Sequence, residues 1–413
     1  MKTRRTILCG LAAAIMLAFI ACDNGGGDPP KKPQTETPQT PGGDMTWTAV
    51  RDTSIFGESS IECVAFGGGK FVTVGDDGKI AYSTDGIKWI AVTNSPFRGS
   101  KEYPYVRIKD IAWGGGKFVV LWEVNDGYDG DVKKMAYSSD GITWTDVVFD
   151  FDEEFDFNIN SVAYGNGKFV VVGQYTDIIE VWYGNDIYDI FNKIAYSTDG
   201  VTWTPAKFSL FDSIEKNKDD YQDYLKNYGD SITNIVFGGD KFIVYDKYTK
   251  KMAYSTDGVT WTAVNVEFNA FYSGSYDDIK DIAWGGGKFV AVGNYRAAYS
   301  SDGITWTAVA NSSKEAVEEK KLIEAYSIAY GGGKFVATGP NGSDVYSTDG
   351  VTWTRGKGYA AMTIDNTTSS WGFLPYNDIA YGNGRFVAVG HAGDGMTQLI
   401  DGFTGIGYIV YSN

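Results

Sequence analysis

The chain has 413 residues, 52 acidic against 36 basic side chains, a single histidine and a formal net charge of −16. That balance excludes a nucleic-acid-binding role and electrostatic docking on anionic lipid; it favours solubility and affinity for cations or basic partners. With 43% hydrophobic residues, 15% aromatics and 52 glycines, the chain has the apolar surface for a large core and the glycines for many tight turns.

The first element is Met1-Lys2-Thr3-Arg4-Arg5 followed by an apolar stretch from Ile7 to Ala21. It reads as an export signal, too short and wrongly flanked for a membrane span. Its end, Phe19-Ile20-Ala21-Cys22, resembles a bacterial lipobox in a relaxed form, with Phe where Leu is usual, a habit of spirochaetes among other lineages. The resemblance implies a lipoprotein signal peptide over 1–21, cleavage before Cys22 and diacylglycerol on that thiol. The alternative is a secretory peptide with an incidental cysteine. Residues 22–44 continue as a Pro/Gly/Thr-rich stretch nearly free of apolar side chains, expected to be a disordered tether. The expected location is the bacterial cell envelope, lipid-anchored at the cell surface or facing the periplasm. Asp23 would favour the inner membrane if enterobacterial sorting rules applied. Cys9 leaves with the signal and Cys22 takes lipid, so Cys63 is left alone and no disulfide is expected.

From residue 45 onward the sequence is a repeat. One phrase reads Tyr-Ser-Thr/Ser-Asp-Gly-x-x-Trp and is complete at Tyr82–Trp89, Tyr137–Trp144, Tyr196–Trp203, Tyr254–Trp261, Tyr299–Trp306 and Tyr346–Trp353. A second, Ile-x-Asp/Ser-Ile-Ala-Trp/Tyr-Gly-Gly-Gly-Lys-Phe-Val, precedes each copy, with glycine turns beginning at Gly67, Gly114, Gly165, Gly238, Gly285, Gly331 and Gly382. Each unit reads as four short strands, as in Asp281–Trp284, Lys288–Val292, Arg296–Ser300 and Thr305–Val309, rich in β-branched and aromatic residues between turn signals. The last copy is split. Tyr411-Ser412-Asn413 stands at one end, and Met45-Thr46-Trp47-Thr48-Ala49-Val50 supplies the missing strand from the other. These features predict an all-β, seven-bladed propeller over 45–413. Its antiparallel four-stranded blades form a ring closed by Thr46–Val50 on the C-terminal blade. A solenoid would need polar capping repeats, and none is visible.

The Ser-x-Asp-Gly-x-x-Trp phrase resembles the Asp-box (BNR) repeat of sialidases and related propellers, with a turn one residue shorter. The whole unit is most similar to Asp-box propeller lipoproteins of bacteria, and more distantly to photosystem II assembly-factor-like propellers. The resemblance implies a structural role for Asp85, Asp140, Asp199, Asp257, Asp302 and Asp349. The chemistry agrees, since Asp and Ser side chains bond turn backbone, Gly takes positive φ and Trp packs between blades. Another repeated position is polar inside the first strand: Cys63, Asp110, Ser161, Asn234, Asp281, Ser327 and Asp378. It reads as a buried hydrogen bond from each blade to its neighbour, or alternatively as groups lining a channel for function.

In such a ring the turns between strands one and two, and three and four, lie on one face; they are nearly constant here. The variation falls on the other face, in insertions from Glu123 to Lys133 and Gln174 to Asn192, and in links from Lys207 to Asp230, Asn311 to Glu324 and Gly356 to Pro375. Loops on a rigid scaffold carry function, so the candidate ligand-binding residues are the aromatics Trp122, Tyr128, Tyr175, Trp182, Tyr183, Tyr188 and Trp371. Ser213 to Tyr228 is expected to form a short helix docked on the propeller. Asn125 to Asp131 offers oxygen ligands that suit calcium, but its spacing matches no EF-hand, so no metal or other cofactor is expected. His391 is read as incidental in the second-to-third loop of blade seven.

The function predicted is a non-catalytic binding or scaffold module for a glycan or an envelope protein, touching the membrane only through its lipid. The alternative is a glycoside hydrolase. A sialidase needs three arginines converging on a carboxylate, a Tyr nucleophile with a Glu, and an acid/base Asp, on six blades. This chain offers Arg51, Arg98, Arg107, Arg296, Arg355 and Arg385 and reads as seven blades. Another hydrolase would need only two well-placed carboxylates, for which the loop acids Asp177, Glu180, Asp186 and Asp189 stand without a motif.

Overall fold

The computed structural model describes residues 45–50, 53–57, 59–97, 106–125, 131–147, 158–182, 185–206, 208, 232–246, 251–264, 279–294, 296–309, 324–357, 375–391 and 407–412, with backbone only at 125, 131–133, 175–182, 185–191 and 341. Packing separates Met1–Gly43 from Asp44–Asn413, and every described residue belongs to the second unit.

That unit is seven four-stranded antiparallel sheets. The first strands of blades one to seven are Ile61–Gly67, Val106–Gly114, Asn158–Gly165, Ile232–Gly238, Ile279–Gly285, Ser327–Gly331 and Tyr376–Gly382. Blade five continues with Lys288–Gly293, Arg296–Ser300 and Thr307–Ala308, within two residues of the sequence reading at every boundary. Blade seven joins the two ends of the chain. Trp47–Ala49 pairs antiparallel with Gly407–Ser412, in the register Trp47 to Ser412 and Ala49 to Val410.

Repeated turn chemistry accounts for the blades. In the glycine hairpin, Gly68 and Gly69 take φ of +56° and +78°, a region open to glycine and tolerated by Asn and Asp. The substituted turns place Asn166, Asp240 and Asn383 at φ of +46°, +66° and +46°. In the Ser–Asp turn, Ser138 Oγ accepts the Gly141 N–H at 2.8 Å, and Asp140 Oδ1 accepts those of Ile142 and Thr143 at 2.8 and 2.7 Å. The same arrangement recurs at Asp85, Asp199, Asp257, Asp302 and Asp349.

The core lies between blades. The described residues form seven buried clusters, each shared by two neighbours, and the last joins Val387, Val389 and Ile409 of blade seven to Val64, Phe71 and Ala81 of blade one. Trp144 of blade two packs with Val72 and Val74 of blade one, and Trp353 of blade six with Val290 and Val292 of blade five. The glycine that ends each first strand seats the aromatic ring of the next blade. A Cβ at Gly67 would stand 1.9 Å from the Trp113 ring, and one at Gly382 2.1 Å from Phe66, which carries the contact across the seam. The turn lysines latch the same neighbours, as Lys70 Nζ donates to Asp140 O at 2.8 Å.

The insertions in blades two and three differ from the loops expected. Lys117–Asn125 with Asp131–Ser138 is a continuous antiparallel ladder, and Lys168–Trp182 with Asn185–Ser197 is one with a single register shift between Ile178 and Glu180. Their β-branched and aromatic residues extend the second and third strands outward as hairpins. The expected helix at 213–228 lies outside the described residues.

Candidate functional site

The first strands of all blades surround one channel of about 500 Å³. Its girdle is the polar position read in the sequence, and the hydrogen bonds there run unbroken around the ring. Asp110 accepts from Ser161 Oγ at 2.7 Å and from Val162 N at 2.8 Å. Ser161 Oγ accepts from Ile235 N at 3.3 Å, and Asn234 donates to Asp281 Oδ1 at 2.6 Å. Asp281 Oδ2 accepts from Ser327 Oγ at 3.0 Å and Ile328 N at 2.8 Å. Ser327 Oγ also lies 3.0 Å from Asp378 Oδ1, and Asp378 Oδ2 accepts the Val64 N–H at 2.8 Å. Cys63 Sγ completes the circuit by donating to Lys109 O at 3.6 Å. Each blade is thus tied to the next through a polar side chain, buried at Cys63, Ser161 and Ser327 and half-buried at Asp110, Asn234, Asp281 and Asp378, the structural role such groups take when largely withdrawn from water.

Burial dominates the titration of these groups. It pushes Asp378 up to about 8, with the charges of Asp281 and Asp110 adding to the effect of desolvation. Asp110 is pushed up to about 6 by burial, against donors from Ser161, Val162 and Ile111. Asp281 is raised by burial and restrained by four donors. The Cys63 thiol is raised well above its usual value by burial and by nearby Asp378 and Asp110, the opposite of an activated nucleophile.

A second ring stands one residue before the girdle, on the side of the elaborated face. It comprises Glu62, Lys109, Asn160, Thr233, Lys280, Tyr326 and Asn377, all lining the channel. In six of the seven blades this residue is skipped by the pairing, with register shifts between Ile61 and Cys63, Ile108 and Asp110, Ile159 and Ser161, Ile232 and Asn234, Ile279 and Asp281, and Tyr376 and Asp378. A β-bulge re-aims a side chain out of the normal alternation. Here it places a polar side chain at the mouth in six blades, with Tyr326 of blade six the seventh, and this ring varies more widely than the girdle, carrying both charges, amides, a hydroxyl and a phenol. Asn160 is 7% exposed; its Nδ2 donates to Ile232 O at 2.9 Å while its Oδ1 is buried without a partner. Asn377 Nδ2 donates to Ile61 O at 3.0 Å and Glu62 Oε2 at 3.3 Å. Lys109 reaches the buried Glu123 at 3.1 Å, which also holds Arg107 at 2.8 Å. Lys280 is exposed at the mouth.

Of the aromatics expected to meet ligand, Trp122 is placed elsewhere. It is 3% exposed and packs against Phe97, with ring centroids 4.5 Å apart, inside the core between blades one and two. Tyr175, Trp182 and Tyr188 lie on the blade-three hairpin, known in backbone only. Tyr128, Tyr183, Trp371 and Cys22 lie outside the described residues, as do 126–130 of the calcium-like segment. Among the described residues no group of acids, histidines and cysteines is placed to hold a metal ion. Arg107 is committed to Glu123, and Arg385 sits over the Tyr411 ring at 5.2 Å. His391 ends the second strand of blade seven rather than lying in the following loop, with Nδ1 3.3 Å from Asn377 Nδ2. The mouth ring was missed in the sequence because it occupies the "x" of the repeat phrase; that variability was its one signal.

No family model matches this chain, and no curated protein matches it in sequence. Solved structures do match in fold. YCF48 from Cyanidioschyzon merolae superposes with a TM-score of 0.50 at 15% identity, covering 88% of this chain and 98% of its own. A catalytically inactive virginiamycin B lyase from Staphylococcus aureus, solved with quinupristin, gives a TM-score of 0.55 at 10% identity over 90% of this chain and 100% of its own. A streptogramin B lyase gives 0.52 at 10% identity, covering 90% and 98%. At such identities the likeness establishes a shared fold and nothing about chemistry.

Proposed function

We propose that this protein is a non-catalytic binding or scaffold module that takes a glycan or a protein ligand at the channel mouth and the elaborated face around it. The observation that carries this reading is the bulged ring. Seven blades built from near-identical phrases present seven side chains of mixed chemistry, Glu, Lys, Asn, Thr, Lys, Tyr and Asn, into one opening. A scaffold that repeats its strands and turns while varying the mouth residues and the insertions around them offers a specific surface on a rigid frame. The channel volume falls within the roughly 300–1,000 Å³ of small-molecule sites, and hydroxyl, amide and charged groups suit a hydrogen-bonding ligand. The lipid on Cys22 and the tether over 22–44 belong to the same proposal, holding the ring off an envelope membrane.

The second reading is a glycoside hydrolase. The high titration point of Asp378 favours it, since a raised carboxyl is what a general acid needs. Against it, both oxygens of Asp378 already bond neighbouring blades. The test is a broad glycan array probed with purified residues 45–413, read for retention and for loss of label. Retention that Lys280→Ala or Asn160→Ala abolishes supports binding at the mouth. Loss of label establishes the hydrolase. Silence on both refutes the glycan reading and leaves a protein partner, sought by crosslinking in the native envelope.

A further inference from the structure

One contact in the girdle cannot be made by two ionised carboxylates. Ser327 Oγ stands 3.0 Å from Asp281 Oδ2 and 3.0 Å from Asp378 Oδ1. A serine hydroxyl has a single hydrogen, so it donates to one acid and offers only lone pairs to the other. With both acids ionised, the second contact would be oxygen against oxygen with no proton between them, in a channel wall where both acids are half-buried and an unmatched charge is costly. The arrangement is short of one proton. Asp281 already accepts from Asn234 Nδ2, Ile282 N and Ile328 N, and such donors favour the ionised form. Asp378 accepts only from Val64 N and Ile379 N. The missing proton therefore belongs to Asp378.

We propose that Asp378 is a neutral acid at physiological pH and that its proton is the clasp of the closing blade: Asp378 Oδ1–H donates to Ser327 Oγ, and Ser327 donates in turn to Asp281 Oδ2. The other oxygen of the same carboxyl receives the Val64 N–H. Asp378 thus joins blade six to seven and seven to one, and blade seven is the sheet assembled from both ends of the chain. When the proton leaves to solvent, Ser327 is caught between two charges and the seam is weakened, directly beneath the mouth residue Asn377. The charged and titratable groups facing Asp378 across the channel are Glu62 and Cys63 of blade one, Lys109 and Asp110 of blade two, Lys280 and Asp281 of blade five and Tyr326 of blade six. On its own blade His391 reaches Asn377. Lys109 is engaged by Glu123, so among these groups Lys280 is the cation left to oppose the acids. Burial places the titration of Asp378 near 8, which agrees with the geometry.

The experiment is an infrared titration of the purified full chain from about pH 6 to about 9, with melting temperature followed in parallel. At about pH 7.5, above the range of Asp110, a protonated-carboxyl band is expected in the wild type; it is lost with a midpoint near 8 and is absent in Asp378→Asn, while Asp110→Asn keeps the band but moves its loss to lower pH, because one of the charges that raise Asp378 is gone. Melting temperature should fall across the same interval in the wild type and stay flat in Asp378→Asn. If that variant fails to fold, Ser327→Ala is expected to move the midpoint downward, because the neutral acid loses its acceptor. Absence of the band in the wild type at neutral pH, its persistence in Asp378→Asn, or an unmoved midpoint in Ser327→Ala overturns the proposal. None of these readouts depends on what the mouth binds.

Discussion

Removing the strand that closes the ring is the strongest perturbation available to a short truncation. Trp47–Ala49 is the outer strand of blade seven, and its flanks bury Met45 and Val50 beside Trp47, at 3%, 5% and 8% exposure. Trp47 packs on Tyr376 with ring centroids 6.0 Å apart, and Val50 belongs to the cluster that spans the seam to blade one. Burial of three such side chains contributes about 1.5–3 kcal/mol each, roughly 5–9 kcal/mol in total before the backbone bonds to Gly407–Ser412 are added. That is comparable with the whole stability of an ordinary domain, about 5–15 kcal/mol. A chain beginning at residue 51 should therefore melt far below one beginning at residue 45, or fail to fold. The single change Trp47→Ala should cost about 3–5 kcal/mol, roughly 5 °C in Tm for a unit of this size. Calorimetry or circular dichroism of the three proteins decides it. Coincident melting curves would refute the reasoning that closure is structural.

Other outcomes follow from the same geometry. Gly114→Ala would put a Cβ 1.8 Å from the Tyr164 ring, whereas Gly116→Ala meets nothing within 4 Å and bears only its φ of +80°. The first should cost several kcal/mol and the second about 1, so equal denaturation midpoints would contradict the seating of the next blade's ring on each blade's glycine. Asp140→Ala leaves the Ile142 and Thr143 N–H groups without their acceptor and should lower stability by about 1–2 kcal/mol; a change under about 0.5 kcal/mol would deny these turns their role. Stability should also be skewed toward acid. Asp378 and Asp110 titrate near 8 and 6 when folded, above their unfolded value. Their contribution is complete below about pH 4 and lost as pH rises through those two points. Turn acids act oppositely. Asp199 is held down to about 2 first by the Thr202 N–H, and Asp349 reaches about 2, against the opposing effect of burial, through the N–H groups of Thr352 and Val351. They stabilise above about pH 4, and that support disappears toward 2. Melting scans should show a maximum near pH 4–5; a maximum above pH 8 would disprove the balance.

The number of blades, the split seventh blade and the girdle position were all legible in the sequence. Each rests on local chemistry that repeats: a Ser–Asp pair that caps its own turn, glycines at positive φ and one polar residue in a fixed frame. A signal contained within a dozen residues survives without knowledge of its neighbours. The mouth ring was not legible, because Glu62, Lys109 or Lys280 becomes inward-facing only when the register against the second strand skips it, and register belongs to two strands at once. Trp122 looked like a loop aromatic because its position lies at the edge of an insertion. Only the hairpin that continues past it, and Phe97 closing over it from blade one, make it core. The same holds for Ser327, Asp281 and Asp378. The sequence shows three polar residues on three separate blades, spaced as the repeat requires. That one hydroxyl must serve two acids is a matter of 3.0 Å distances between chain segments about fifty residues apart, which the closing of the ring alone decides.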